Sequence, residues 1–460
     1  MYEPRDYQQW FYNDIQTAFR HSRAVIGCAP CGSGKTVPIV LKSAAAARKG
    51  RRVLITVPRI DLILQVARTF REMGVPFGDL SSGEQIKLGT MQTVIRRDIQ
   101  ADFIINDEAH FGLSDAWAAR LKAYIDGGAW ILGLTASPIP GMDRVYTAMV
   151  CSKPVSWLVE RGWLSDYRAF GPSQPDLSRL PIHDGDYAKG ASADLMSKPS
   201  ITGDAVAHWL KMASDKRTIA YTVSREHSRA LVAAFVAAGV PAEHIDGDTP
   251  QDERQAIAAR FARRETPVLS NVALFQLGYD LSSQVGEDVP IEAMSDQAPC
   301  RSVPLQIQKW GRVVRRKPEP AMILDHANNF RDLGMFPDSE MEWSIAAGAT
   351  RPKGALPVSI CKRCFAAFRT APVCPQCGSE RELTPREIEL REGELREIER
   401  EREAKVKRIE VGRAGADLAA LAKIAVERGY KKGWLAARLK MKGQRVEWDQ
   451  IERAMARARG

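Results

Sequence analysis

No apolar run in this chain approaches the roughly 18 residues that a membrane-crossing helix needs. The N-terminus, MYEPRDYQQW, lacks the basic start and apolar middle of a secretory leader. These two absences argue against an integral membrane protein or a secreted one, so a cytosolic protein with no membrane partner is expected. Cysteine is scarce, eight in 460 residues, and in that compartment cysteines serve as thiols or metal ligands more often than as disulfides. No repeat of solenoid period occurs. What remains is ordinary globular composition, 45% hydrophobic and 27% charged, in a chain long enough for two or three domains with substantial cores. The net charge is +10 and is unevenly placed: Arg413 to Gly460 holds twelve Lys/Arg against five Asp/Glu. A basic tail suggests a nucleic-acid partner; a solvated helical surface is the competing reading.

Residues 1–150 alternate strand-like and helix-like segments. AVIGCA reads as a buried strand, Lys35 to Arg48 as a helix, RRVLITVP as a strand, and Asp61 to Met73 as a helix. DFIIND and WILGLT are further short apolar runs, and the alternation predicts a parallel sheet covered by helices. Residues 151–200, rich in Pro, Gly and Ser, read as a connecting segment. Alternation resumes over 201–347 and predicts a second α/β domain, with a ligand cleft between the two. A four-cysteine stretch within 355–382 follows, then a Glu/Arg/Lys-rich helix or linker over 384–411, then a basic helical tail over 412–460.

Ala29-Pro30-Cys31-Gly32-Ser33-Gly34-Lys35-Thr36 has the form of a phosphate loop, with Ala in place of the usual first Gly. Gly32 and Gly34 let backbone N–H groups turn onto phosphate oxygens, Lys35 brings charge to the β and γ phosphates, and Thr36 offers a hydroxyl to Mg²⁺. The loop leaves a strand and opens a helix, so the helix N-terminus adds a favourable dipole. ATP is the expected ligand. A thiol at Cys31, close to Lys35 and that terminus, is expected to gain thiolate character. Asp107-Glu108-Ala109-His110 follows the strand DFIIN. One carboxylate there can hold Mg²⁺ and the other can orient or deprotonate the attacking water.

With these elements in order, residues Arg5 to Glu342 resemble the superfamily 2 helicases and translocases of DEAH-box type, the bacterial and phage DNA helicases in particular. The resemblance implies two tandem RecA-like domains and, through the match of RDYQQ, a base-recognising role for Gln8 with Arg5 beside it. Thr135-Ala-Ser137 matches the motif that couples ATP state to nucleic-acid binding. VPRIDLILQ and GTMQT match backbone-contacting elements and nominate Arg59 and Thr90. LSNVALFQLGYDL places Gly278 and Asp280 at the Gly-x-Asp position that faces the ribose, with Leu277 where an acidic residue is common and an extended run, SSQVGEDVP, after it. QKWGRVVR matches Gln-x-x-Gly-Arg-x-x-Arg: Arg312 and Arg315 are implied to reach the phosphates from the second domain, and Gln308 to couple to His110.

Cys361-x2-Cys364-x9-Cys374-x2-Cys377 gives two CxxC knuckles, the ligand set of a structural Zn²⁺ ribbon. Zinc binding would itself drive folding of so short a stretch. The ribbon could hold phosphate through its basic residues or dock a protein, as could the basic tail. The chain thus reads as an ATP-, Mg²⁺- and Zn²⁺-dependent DNA helicase or translocase. It would act on single-stranded, duplex or branched DNA in replication, recombination or repair, in the cytoplasm of a bacterial or phage-infected cell. RNA is the less favoured substrate, and an ATP-switched nucleic-acid adaptor is the reading from another class.

Overall fold

A strand that is apolar on both faces must be covered on both sides, and the first strands of this chain are of that kind. In the computed structural model, β1 (Ala24–Cys28) and β2 (Val53–Val57) are buried at every position. The structure describes residues 3–111, 113–171, 177, 180–183, 186–197, 199–275, 280–350, 357–380, 417–427, 432–441 and 447–459. With β3 (Gly78–Asp79), β4 (Ile86–Thr90), β5 (Phe103–Asn106), β6 (Trp130–Thr135) and β7 (Ala148–Cys151), the first strands form a seven-stranded sheet of order β3-β4-β2-β5-β6-β1-β7. All of its pairings are parallel. Parallel order gathers the C-terminal strand ends at one edge, where the loops after β1 and β5 can share a ligand.

The second sheet has order β12-β13-β11-β14-β15-β8. Its strands are β8 (Tyr167–Phe170), β11 (Thr218–Tyr221), β12 (Ala242–Ile245), β13 (Val268–Asn271), β14 (Ala293–Asp296) and β15 (Ala321–Asp325), again paired in parallel. Between β8 and β11 lies a small antiparallel pair, β9 (Ile182–His183) and β10 (Asp186–Tyr187). The segment 151–200 is therefore not only a connection, because β8 closes the second sheet against β15. Tyr-Arg-Ala-Phe is too short and too mixed to announce a strand, and edge strands of this length carry little pattern.

Two later hairpins follow, and the first ties the lobes together. In the first, β16 (Glu342–Ser344) and β17 (Gly348–Thr350) pair antiparallel, and the Ile345–Ala346 turn reaches the first lobe. There Ala346 O accepts from Gly141 N at 3.3 Å and Ile345 O from Asp143 N at 3.2 Å, while the Ile345 side chain packs on the first lobe's core. The second, β18 (Val358–Ile360) with β19 (Ala367–Arg369), carries the cysteine knuckles. It is joined to β8 by a bridge between Ala366 and Phe170. Cys361, Ala366, Phe368 and Cys374 share one cluster with Phe170, Trp209, Phe235 and Leu324. The ribbon lacks residues for a core of its own and completes that of the second lobe.

The C-terminal residues are a separate compact unit. Helices Leu418–Glu427, Lys432–Met441 and Trp448–Arg459 close around Leu421, Ala425, Leu435, Leu439, Ile451 and Met455. The charged stretch 384–411 lies outside the described residues. Among the described residues no helix is long and apolar enough to cross a membrane.

Candidate active site

The loop after β1 turns through Gly32 at φ +77° and Gly34 at φ +79° before the helix Thr36–Ala47 begins. A side chain at Gly34 would be strained by that φ, and its Cβ would lie 2.5 Å from Gln8 Nε2. Pro30 O shapes the turn by accepting from Ser33 N at 3.2 Å and Ser33 Oγ at 2.7 Å. Ala29 N donates to Thr135 O at 3.0 Å, which seats the loop on β6. Lys35 Nζ lies 3.4 Å from Ala29 O. Burial works against its charge, but Cys31, Glu108 and Asp107 outweigh that and hold its pKa above the ordinary lysine value.

Asp107 and Glu108 follow β5. Asp107 N donates to Thr56 O at 2.9 Å, fixing the end of β5 against β2. Glu108 sits at φ +47°, a strained position for a residue with a Cβ, and strain of this kind concentrates at functional sites. Burial, then the charge of Glu108, push Asp107 up to about 7. Burial also works against ionised Glu108, yet Lys35, His110 and Arg312 together hold it below its ordinary value. Glu108 Oε2 is buried without a hydrogen-bond partner. His110 is held below its usual pKa, chiefly by burial. Its neutral ring can donate from Nδ1 to Thr135 Oγ1 at 3.0 Å while Nε2 accepts from Gln308 Nε2 at 2.7 Å. Thr135 Oγ1 also accepts from Ser137 N at 3.1 Å.

Gln308 belongs to the helix Val303–Val313 of the second lobe, which carries Arg312 on the same side; Arg315 follows two residues after the helix. A buried network on the opposite face holds this helix to its sheet. Lys309 Nζ lies 2.9 Å from Asp296 Oδ1, and Asp296 Oδ2 also accepts from Gln306 Nε2 at 2.8 Å and Asn329 Nδ2 at 2.9 Å. The helix approaches the phosphate loop so closely that a Cβ on Gly311 would fall 2.0 Å from Cys31 Cβ. A cleft of about 290 Å³ results, lined by Gly32, Lys35, Thr36, Asp107 and Glu108 from one lobe and Gln308, Arg312 and Arg315 from the other.

Other nominated residues take different positions. Gln8 is buried at 2% exposure behind the loop, and its Nε2 donates to Ser33 O and Gly34 O, each at 3.2 Å. Arg5 lies over the Trp163 ring at 4.9 Å and donates to Tyr7 Oη. Neither lines the cleft: the structure turns both toward the loop's backbone and the aromatic residues around it. Asp280 faces the arginines, with Arg315 at 2.7 Å and Arg312 at 3.8 Å. Against the effect of burial, the two cations hold Asp280 down at about 2. Gly278 lies outside the described residues. Arg59 immediately precedes the helix Ile60–Glu72, and Thr90 caps the helix Met91–Arg96 by accepting from Thr93 N at 3.3 Å. Val57 and Thr90 are register partners, so Arg59 and Thr90 emerge from the same end of the sheet. Cys31 departs from expectation: burial, opposed but not overcome by Lys35, raises its pKa.

Gln65, Phe111, Asp288 and Arg316 also line the cleft, and no sequence motif nominates them. Asp288 comes from the extended run after Asp280, which forms the helix Leu281–Val285 packed on the helices Gln251–Ala262 and Ile60–Glu72. An extension at that point in the sequence is the sign that could have found it.

The four ribbon cysteines bring their sulfurs within 4.8 Å of one another, with Cys361–Cys377 and Cys364–Cys374 both at 3.7 Å. Zn–S bonds of about 2.3 Å in a tetrahedron put sulfurs about 3.8 Å apart, so this donor set fits Zn²⁺. Gly378, at φ +69°, lets its N–H turn back to Cys374 O at 3.0 Å and closes the second knuckle. For Mg²⁺ the fit rests on the Thr36 hydroxyl and the buried carboxylate of Asp107, a charge next to Glu108 that a cation would compensate.

Comparison with known proteins agrees with this geometry. Residues 1–140 match the family model described as type III restriction enzyme, res subunit, and residues 202–317 match the helicase conserved C-terminal domain. The 51.5 kDa protein of a Lactococcus phage (isolate 7-9) is 30% identical over 424 residues, covering 90% of this chain and 88% of the phage protein. IRC3 of Saccharomyces cerevisiae, described as a candidate ATP-dependent helicase, is 26% identical over 347 residues, 68% of this chain and 49% of IRC3. Among solved structures, the ATP-dependent type ISP restriction-modification enzyme LlaBIII shares the fold at a TM-score of 0.52 and 17% identity, over 71% of this chain and 28% of that enzyme. Two helicase domains enclosing one cleft at the phosphate loop, and a relative matched along nearly its whole length, place the chain in superfamily 2: it is an ATP-hydrolysing helicase of that family.

Proposed function

We propose that the protein is a DNA helicase or translocase, coupling ATP hydrolysis to the remodelling of duplex or branched DNA in replication, recombination or repair. The observation that carries this reading is the shared cleft, to which Lys35 and Glu108 come from one lobe and Arg312 and Arg315 from the other. Such a site is complete only when the lobes close, so the chemistry reports on their separation. Lys35 and the loop N–H groups hold the β and γ phosphates. Glu108 orients the attacking water and takes its proton as the new O–P bond forms and the bond to the leaving diphosphate breaks. Arg312 and Arg315 offset the charge that develops on the transferred phosphoryl group. Mg²⁺, when bound by Thr36 and Asp107, neutralises phosphate charge. In this account Asp280 surrenders Arg315 to the phosphates, and Gln8, with Arg5 beside it, holds the backbone of the phosphate loop.

His110, Thr135 and Gln308 give the coupling route between ATP state and the nucleic-acid side, and Arg59 and Thr90 lie where a strand could cross the first lobe. DNA is favoured over RNA by the LlaBIII neighbour, which is described bound to DNA. The test is ATPase stimulation by single-stranded DNA, duplex DNA and RNA at several salt concentrations, since phosphate contacts weaken steeply with salt. Greater stimulation by RNA than by either DNA would overturn the DNA assignment.

A further inference from the structure

The C-terminal unit concentrates its net positive charge in and around one helix. Between Arg428 and Val446 there are seven Lys/Arg and no Asp/Glu, whereas residues 413–427 and 447–460 each carry equal numbers of cations and acids. The tail's whole excess therefore belongs to the helix Lys432–Met441 and the segments on either side of it. Leu418–Glu427 and Trp448–Arg459 lie most closely along each other, while Lys432–Met441 buries Leu435 and Leu439 at i, i+4 spacing and lays Trp434 and Ala436 partly buried against the core. Lys432, Gly433, Ala437 and Lys440 are exposed. Gly433 and Ala437 leave the outward face without bulk, so a backbone of the opposite charge can come close to the helix. Two cations beside that face rest on aromatic rings: Lys432 Nζ is 5.9 Å from the ring of exposed Trp448, and the Arg438 guanidinium is 5.9 Å from Trp434. Lys432 also pairs with Glu452, both side chains being more than half exposed, so a phosphate can replace that carboxylate at little cost.

We propose that the helix Lys432–Met441 is a phosphate-binding face that seats on duplex DNA. This rests on the DNA reading above and assigns a second DNA-binding surface, outside the ATP-binding lobes. A polyanion is the complement of an all-cationic helix. A helix about 10–12 Å across matches a major groove about 12 Å wide. The charged side chains from Lys432 to Met441 are Lys432, Arg438 and Lys440, residue types that bind phosphate oxygens.

The experiment is fluorescence anisotropy of a labelled mixed-sequence duplex DNA with the full chain, without nucleotide, across a salt series. The variant carries Lys432→Gln, Arg438→Gln and Lys440→Gln; a control exchanges the same cations, with Lys432→Arg, Arg438→Lys and Lys440→Arg. We expect the glutamine variant to bind at least tenfold more weakly, with the slope of log affinity against log salt reduced by about 2.7, or about 0.9 for each phosphate no longer neutralised. The control should bind as wild type, and ATPase activity without nucleic acid should be unchanged in both. An unmoved isotherm and slope, as expected if the helix faces an acidic protein surface instead, would overturn the proposal. So would weaker binding at an unchanged slope, or weaker binding by the exchange control. If the isotherm is unmoved while DNA still stimulates wild-type ATPase, only this assignment fails. If wild type neither binds duplex DNA nor responds to it, the functional reading fails with it.

Discussion

Gln308 Nε2 lies 2.7 Å from His110 Nε2, a hydrogen bond that spans the cleft from the arginine helix to the acidic turn. Because His110 also touches Thr135, and Thr135 Oγ1 accepts from Ser137 N, one continuous chain runs from the second lobe to the end of β6. If this bond couples the lobes, Gln308→Ala and His110→Ala should each lower nucleic-acid-stimulated ATPase on the order of tenfold, with little change in KM for ATP. The double variant should be no worse than the weaker single one, because residues in one network are not additive. Additive losses would show that the two act separately.

Arg312 and Arg315 are assigned to the transition state. Replacing either with Ala should lower kcat by about 10³–10⁵, the range for arginines that stabilise phosphoryl transfer, while nucleotide binding measured by fluorescence titration weakens far less. Equal losses in binding and kcat would instead mark them as ground-state phosphate ligands.

Lys309 and Asp296 are buried at about 1% exposure or less, so each depends on the other. Lys309→Met should cost about 3–5 kcal/mol by leaving the Asp296 carboxylate uncompensated, and Asp296→Asn added to it should recover part of that. Urea denaturation measures both, and a neutral effect of Lys309→Met would remove the pair as the anchor of the arginine helix.

The two-lobed plan and the phosphate loop were legible because they rest on local chemistry: apolar runs of five, Gly32 and Gly34 at positions that need positive φ, and carboxylates at the end of β5. Residues whose placement depends on the other lobe were not legible. Nothing near Cys31 in sequence shows that Gly311 will press against it, which buries the thiol and raises its pKa rather than lowering it. Asp280 is illegible for a different reason: the two arginines that hold it lie in its own lobe but far along the chain, where its neighbours in sequence do not reveal them. β8 has no periodicity to read, being an edge strand of four residues, and the ribbon's debt to the second-lobe core is visible only where Phe170 and Ala366 meet.

The thiol result gives a direct expectation. Alkylation near neutral pH should reach exposed Cys151, whose pKa is lowered by its hydrogen bond with Cys28, before Cys31. Peptide mass mapping over time gives the order, and prior loss of Cys31 would show that the cleft opens more than this arrangement implies.

Since the ribbon completes the second lobe's core, stripping zinc with a strong chelator should lower the Tm of the lobe itself and release one Zn²⁺ per chain. Cys364→Ser should do the same without chelator. Release of zinc with no change in the lobe's unfolding would show that the ribbon is an appendage.

The central claim is that ATP hydrolysis in this cleft drives movement on DNA. Its most direct measurement is ATP-dependent strand displacement from a forked DNA duplex by wild type, with Lys35→Ala and Glu108→Gln alongside. The account predicts displacement by wild type alone, with DNA-stimulated ATPase lost in both variants. Wild-type ATPase that displaces neither a strand nor a protein bound to the duplex would contradict it, as would displacement that persists in Glu108→Gln.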